Sequence, residues 1–346
     1  MITKITIEGF KSFHHFEFEF PPGPLAVLTG PGGTGKTNLL DALTLVSRTL
    51  TDGFEAAAAS SPRLSPATLL LQSEQQGRPW TAQTMRIKVE VLLSGLAGPV
   101  SVELAAYRGS DGRTAVFDAA GSGVRMLSPI GGQRLLPLDG SGQVMDALRE
   151  QAKDWQAVSW SASDIARVLR RLAPEAATWL AADLAALVPG SLDVRATDDA
   201  HGWIEVRMAH RGWVPVGMMP VSTLRTLEIL AAWHVRPGVL VVDGLGEGIH
   251  PKDAAELARR ISRRLGATAP VPSQLIASTN ALDLVNTLTG GDLSSVAVIE
   301  IAHRVDPAQQ TITPVSFHRP VREPRPEDEP GHYLRPSRLA RMLTSE

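Results

Sequence analysis

Apolar and polar residues alternate from Ile2 to Glu8, which predicts a half-buried strand. Gly9-Phe10-Lys11-Ser12 breaks the pattern. Phe16, Phe18 and Phe20 then alternate with Glu17 and Glu19, predicting a second strand with one dry face. Pro21-Pro22-Gly23-Pro24 is a turn, and Leu25-Ala26-Val27-Leu28 is a short apolar strand that runs into a glycine-rich stretch. From Asn38 to Leu50 the period lengthens to that of a helix, with Leu39, Leu40, Leu43 and Val46 on one side.

Thr51 to about Gln83 is rich in Ala, Ser and Pro and reads as a mobile loop. Strand-like runs separated by glycine turns fill Met85 to Leu127. Helices are predicted at Val144–Lys153, from Ser163-Asp164 to about Leu172, and at Glu175–Leu187 behind Pro174. Trp155–Trp160 reads as a strand, as do Leu192–Arg195 and Trp203–Met208. A helix follows at Val221–Val235, then the fully apolar strand Val239–Val242 ending at Asp243. A helix at Lys252–Leu265, a strand at Gln274–Ser278, a short helix after Ala281 and a strand at Ser295–Ile301 complete the alternation. From His318 the chain is rich in Pro, Arg and Glu, which predicts a flexible tail with a short helix near Leu339. There is no internal repeat and no sustained heptad pattern before Ser222.

With 346 residues, the chain is long enough for one large α/β domain or two ordinary ones. The formal net charge of −2 gives no global attraction to nucleic acid or anionic membrane, and leaves a local patch open as a nucleic-acid contact. The absence of cysteine excludes disulfides and thiolate metal sites. No apolar run approaches a membrane span, and the N-terminus lacks a leader pattern, so no membrane contact and a cytoplasmic location are expected.

Gly30-Pro31-Gly32-Gly33-Thr34-Gly35-Lys36-Thr37 fits GxxxxGK[ST] between a strand and a helix. Glycines let successive N–H groups face inward around an anion, and the helix start adds its positive end. In this pattern Lys36 reaches the β- and γ-phosphates of ATP, and the Thr37 hydroxyl is a ligand of Mg²⁺. The nucleotide site is therefore expected at Gly30, Pro31, Gly32, Gly33, Thr34, Gly35, Lys36, Thr37 and Asn38. Asp243, at the end of a buried strand, is the candidate second metal residue beside Thr37. The alternative is that Asp243 caps the turn Asp243-Gly244-Leu245-Gly246.

Three stretches together resemble the ABC-type ATPases of the RecF/SMC branch, including their stand-alone AAA-labelled relatives. They are Ile5 to Phe13, the turn Gly30–Thr37 with Asn38-Leu39-Leu40-Asp41-Ala42, and Val239–Asp243 with Ile249-His250-Pro251. The resemblance covers roughly residues 1–50 and 215–301. It implies an α/β P-loop NTPase head with a mixed sheet, an antiparallel β subdomain and a helical insert at about 144–187. The head would span 1–317 and the tail 318–346. It also implies heads that dimerise, as homodimer or heterodimer, around sandwiched ATP.

The chain departs from the family pattern where catalysis is concerned. Gly244 follows Asp243 where the family has Glu. Pro220 and Ser222 stand in the signature segment Met219–Arg225 where Ser and Gly are expected. Asn280 stands where a His is usual, and the loop after Trp160 offers Ser161 and Ser163 in place of Gln. Glu247, four residues after Asp243, is the candidate replacement acid, carried by the Gly244/Gly246/Gly248 loop. Lys36 and Glu247 are thus the candidate catalytic residues, and ATP hydrolysis is expected to be slow.

Some side chains carry two readings. Arg167, Arg170 and Arg171, and Arg259, Arg260, Arg263 and Arg264, are either DNA-phosphate contacts or solvated helix faces. His250 is either dimer-facing or a residue that starts a helix. Arg225 either reaches across a dimer or lies on the surface. Trp203 and Trp213 read as aromatic core ahead of base-stacking residues. Three functions compete: a slow ATPase switch acting on nucleic acid in repair or phage defence, an ATP-binding subunit regulating a partner that supplies activity, and a P-loop phosphotransferase. The family-like motifs disfavour the third.

Overall fold

The computed structural model describes residues 1–344 apart from 76–77, 94–95, 97, 112–113, 128–132, 139–140, 198–202, 236–237, 266–272, 307–310, 327 and 330. The chain opens with β1 (Ile2–Phe10), β2 (Phe13–Glu19) and β3 (Leu25–Thr29), then α1 (Lys36–Asp52), α2 (Phe54–Ala59) and α3 (Pro66–Leu69). Next come β4 (Gln72–Gln75), β5 (Arg78–Thr81), β6 (Thr84–Val91), β7 (Val100–Arg108), β8 (Ala115–Phe117), β9 (Gly123–Leu127) and β10 (Gln133–Leu136). Helices α4 (Gln143–Ala152), α5 (Ala162–Leu169) and α6 (Pro174–Leu187) lead to β11 (Ser191–Ala196), β12 (Ile204–Met208) and β13 (Gly212–Pro215). The last part runs α7 (Val221–Val235), β14 (Val239–Val242), α8 (Pro251–Arg264), β15 (Gln274–Ser278), α9 (Leu282–Thr289), β16 (Val296–Asp306), β17 (Thr311–Pro320) and α10 (Pro336–Thr344).

Two sheets organise the molecule. The mixed five-stranded sheet has the order β14-β15-β3-β16-β17, with β3 parallel to both neighbours and β17 antiparallel to β16. Strands β3, β14 and β15 are buried along their whole length, so they read as continuous apolar runs. The second sheet, β10-β9-β7-β6-β1-β2 with β8 on β7, is antiparallel, and β6 keeps the in–out alternation of a one-sided strand. Gln274 joins the two sheets: its side chain accepts from Ile2 N at 2.8 Å and donates to Ile2 O at 2.9 Å. This explains a glutamine with no exposed surface.

Apolar residues form two cores. One lies under the antiparallel sheet and takes in α1, α4 and Trp155; the other surrounds α5 to α9. The helices expected in one insert therefore do not share a core. Met145 and Leu148 of α4 pack with α1, while Ile165, Leu180 and Leu184 pack with α7 and α8.

Three expectations are corrected. The Thr51–Gln83 segment is not a loop: it folds as α2, a 3₁₀ turn at Pro62–Leu64, α3 and the β4–β5 hairpin, because Phe54, Ala57, Ala58, Leu64 and Leu69 are buried in the first core. Its two unmarked stops, Ser61-Pro62 and Ser65-Pro66, are helix-start signals. Trp155–Trp160 contributes one bridge, Ala157 to Val241, with Val158 N bonded to Val241 O at 2.9 Å, and no full strand. The polar segment after His318 is tied down rather than free. Val321 pairs with Leu334, and both join Leu339 of α10 in the second core. Hydrogen bonds from Arg322 and the Arg325 amide bring Asp328 down to about 2.

Candidate functional site

The phosphate turn sits at the C-terminal end of β3, in the centre of the mixed sheet. Gly30, Gly33 and Gly35 all take positive φ. At Gly35 the space is closed as well: a Cβ would lie 2.9 Å from both Ser12 Oγ and Ser316 Oγ. Gly35 also starts α1 without a side-chain cap, which leaves the first-turn N–H groups facing the cradle. Lys36 Nζ folds back over the turn, donating to Gly30 O at 2.6 Å and Pro31 O at 2.8 Å. Gly33 to Asn38 line a cavity of about 200 Å³ closed on one side by Arg63.

Each neighbour of this turn is fixed by another element. Asn38 Nδ2 donates to Ser12 Oγ at 2.9 Å, which joins α1 to the β1–β2 turn. Lys11 holds that turn with φ 48°, a left-handed conformation, and its ammonium reaches Asp41 Oδ2 at 2.5 Å. Burial pushes Lys11 below its ordinary value, against the opposing pull of Asp41. Arg63 grips the same carboxylate through Nε at 3.0 Å and Nη2 at 2.6 Å, and its Nη2 reaches Asn38 Oδ1 at 3.5 Å. Arg63, Asp41 and Lys11 thus form a charged brace beside the phosphate cradle. Sequence reasoning missed Arg63 because its segment read as loop; Ser61 before Pro62 was the available signal.

The fit to Mg²⁺ rests on Thr37 and Asp243. The two residues line one cavity of about 870 Å³. Among the described residues the Thr37 hydroxyl has no protein partner. Asp243 Oδ1 accepts from Ser278 Oγ at 2.6 Å, and Ser278 Oγ in turn accepts from Gly244 N at 2.8 Å. Among the described residues Asp243 accepts no hydrogen bond from the amides of its own turn; Gly244 N donates to Ser278 Oγ instead. A hydroxyl and an oriented carboxylate on one cavity are the oxygen donors that magnesium prefers, with water completing the shell.

Glu247 is folded back onto Gly244. A Cβ on residue 244 would overlap the Glu247 carboxylate and lie 2.8 Å from its Oε1. Gly244 has φ 64°, so the turn itself selects glycine there.

Other candidates find structural partners. Arg225 turns inward, donating to Glu228 Oε2 at 2.6 Å and Asp243 O at 2.7 Å. Ser161 caps α5 in a reciprocal box with Asp164, and Ser163 bonds to Ser161. His250 caps α8 by accepting from Lys252 N at 3.3 Å. Arg259 and Arg260 pair with Glu256, and Arg260 and Arg264 with the buried Asp183, so that helix offers few free cations. Arg167 pairs with Asp164. Asn280 keeps a buried Oδ1 without a hydrogen bond. Pro220 and Ser222 flank the start of α7, where Met218 and Val221 are exposed. Trp203 and Trp213 are not core: Trp203 is exposed and Trp213 is half-buried beneath Arg195 at 4.0 Å.

An AAA domain model matches residues 4–57, which include the whole phosphate turn. The SMC head domain from Thermotoga maritima superposes with a TM-score of 0.53 at 15% identity, covering 93% of this chain and 99% of that one. The Smc head with a coiled coil and joint from Pyrococcus yayanosii gives 0.60 at 10% identity, covering 99% of both chains. This chain has the fold of an SMC head. An SMC head bound to the C-winged helix domain of ScpA gives 0.58 at 17% identity, covering 91% of this chain and 97% of that one. No curated protein matches in sequence. The resemblance to the RecF/SMC branch and the expected P-loop NTPase fold are borne out at the level of fold. No helix among the described residues is long and apolar enough to cross a membrane.

Proposed function

We propose that this chain is an Mg-ATP-binding head that dimerises on nucleotide and hydrolyses it slowly, in the cytoplasm, as a switch in DNA maintenance or phage defence. The observation that carries the reading is the meeting of three features beyond the C-terminal ends of the parallel strands. The glycine turn Gly30–Thr37, the Thr37 hydroxyl and the Asp243 carboxylate converge there although more than 200 residues separate them in sequence. The amides of Gly32 to Thr37 and the open start of α1 are suited to hold phosphates. Lys36, released from Gly30 O and Pro31 O, supplies the cation for the β- and γ-phosphates. Thr37 and Asp243 would hold Mg²⁺, which when bound neutralises charge developing on the phosphates.

Hydrolysis requires a group that orients water. Gly244 and Asn280 cannot do so as the family's Glu and His do, and the Glu247 carboxylate lies against Gly244 in compensation. A carboxylate on an exposed turn is less well fixed than one on a strand end, so turnover is expected to be slow. The SMC head that carries the winged-helix domain of ScpA makes a protein partner for this head a reasonable companion to the head dimer.

Calorimetry with ATP and Mg²⁺, run beside phosphate release, tests the reading. Saturable ATP binding with slow release supports it. Binding with turnover at background, restored by a second protein, supports the regulatory-subunit reading instead. No heat with ATP overturns both.

A further inference from the structure

The cavity that holds Thr37 and Asp243 is far larger than a metal and a terminal phosphate require. Its volume of about 870 Å³ lies within the range of sites for whole small molecules. Its walls carry Arg48 of α1 and Arg63, and also Trp160, Arg167 and Val168. The walls come from different cores, α1 belonging to the first and Val168 packing on the second.

The arginines of this cleft differ in one respect. Arg63 is held by Asp41, Arg167 by Asp164, and Arg225 by Glu228 and backbone carbonyls. Arg48 has no carboxylate or carbonyl partner for its guanidinium among the described residues, and its Nε is buried without a hydrogen bond. Arg48 lines the cleft, so an acceptor from outside the chain can reach its guanidinium there. That acceptor is not the ATP phosphate tail. Arg48 lies eleven residues beyond Thr37 on the same helix, about 16 Å along the axis.

We propose that this cleft is a second ligand site, for a small phosphate monoester whose anion sits on Arg48 and whose carbon body packs against Trp160 and Val168. Arginine presents a rigid donor fork that matches phosphate geometry, and Trp160 supplies a flat apolar surface. Because the ligand touches both cores, its binding biases how the walls approach one another, next to the metal residues Thr37 and Asp243. Any resulting effect on nucleotide affinity must be reciprocal. The site itself does not depend on the ATP reading.

The test uses the full chain in Mg²⁺ with a saturating non-hydrolysable ATP analogue, so that the phosphate turn is filled. Phenyl phosphate is then titrated by ligand-observed NMR, with inorganic phosphate as the bodiless control. We expect saturable binding of phenyl phosphate, tighter than inorganic phosphate. Arg48→Gln should weaken it at least tenfold while the affinity for the ATP analogue stays within twofold. Val168→Phe, which fills the cleft from the other wall, should weaken it too, and serves alone should Arg48→Gln fail to fold. No binding to wild type, or equal binding to wild type and a folded variant, overturns the proposal. Failure of the ATP analogue to bind would sink the nucleotide reading and leave the phenyl phosphate titration readable on its own.

Discussion

The carboxylate of Glu247 occupies the space into which a side chain on residue 244 would project. Gly244 has φ 64°, a left-handed turn that favours glycine, and the flexible end of the Glu247 side chain lies in the space that glycine leaves open. In the proposed mechanism, Glu247 supplies the acid that the strand end lacks.

This pairing predicts that Glu247→Gln lowers ATP turnover by roughly 100-fold, the scale of a lost general base, with ATP affinity unchanged. Single-turnover phosphate release measures it. Gly244→Glu alone should fail to raise turnover, because it displaces Glu247 and strains a positive-φ position by about 1–2 kcal/mol. Unchanged turnover in Glu247→Gln would remove Glu247 from the mechanism.

Lys36→Ala should weaken ATP by roughly 10- to 100-fold, the worth of charge-assisted hydrogen bonds. Its amine already stands over the mouth of the cradle, on Gly30 O and Pro31 O. Calorimetry of the folded variant provides the check, and full retention of affinity would show that the turn is not the phosphate site.

Arg63→Ala removes the guanidinium that closes the cradle and frees Asp41 from one of its two cations. Nucleotide affinity should fall several-fold. Asp41→Asn should release both Arg63 and Lys11, and because Lys11 is the buried partner it should also lower the melting temperature. Thermal unfolding separates the two effects.

Asp183 is a stability site. Its buried carboxylate, on α6, is bound by His234 of α7 at 3.1 Å and by Arg260 and Arg264 of α8 at 3.0 and 2.7 Å. Burial alone would raise its pKa; the His234 hydrogen bond and the arginines overcome this and hold it below the ordinary carboxylate value. A lowered folded-state value means that the carboxylate stabilises the fold above its unfolded value of about 3.9. That contribution is lost as pH falls through the folded value. Asp183→Asn should destabilise the protein by about 3 kcal/mol at neutral pH by taking the shared carboxylate from the half-buried Arg260 and Arg264. The mutant's deficit should shrink in acid, as urea unfolding at pH 7 and below pH 4 would measure.

Local residue patterns suffice for the elements whose chemistry is local. A phosphate turn is built from consecutive amides and glycines, so Gly30–Thr37 and its flanking strand and helix were legible from spacing alone. The continuous apolar runs of β14 and β15 were legible for the same reason, since burial on both faces writes an unbroken pattern. Tertiary structure alone decided what depends on distant segments. Arg63 became part of the site because Phe54, Leu64 and Leu69 are drawn into a core whose other half lies elsewhere in the chain. The apparent tail became structure because three scattered apolar residues, Val321, Leu334 and Leu339, met a surface made by α9 and its neighbours. Nothing in local periodicity records which charged side chain will find a carboxylate. That is why the paired arginines of α8, the inward Arg225 and the unpartnered Arg48 could be told apart only once the helices were packed.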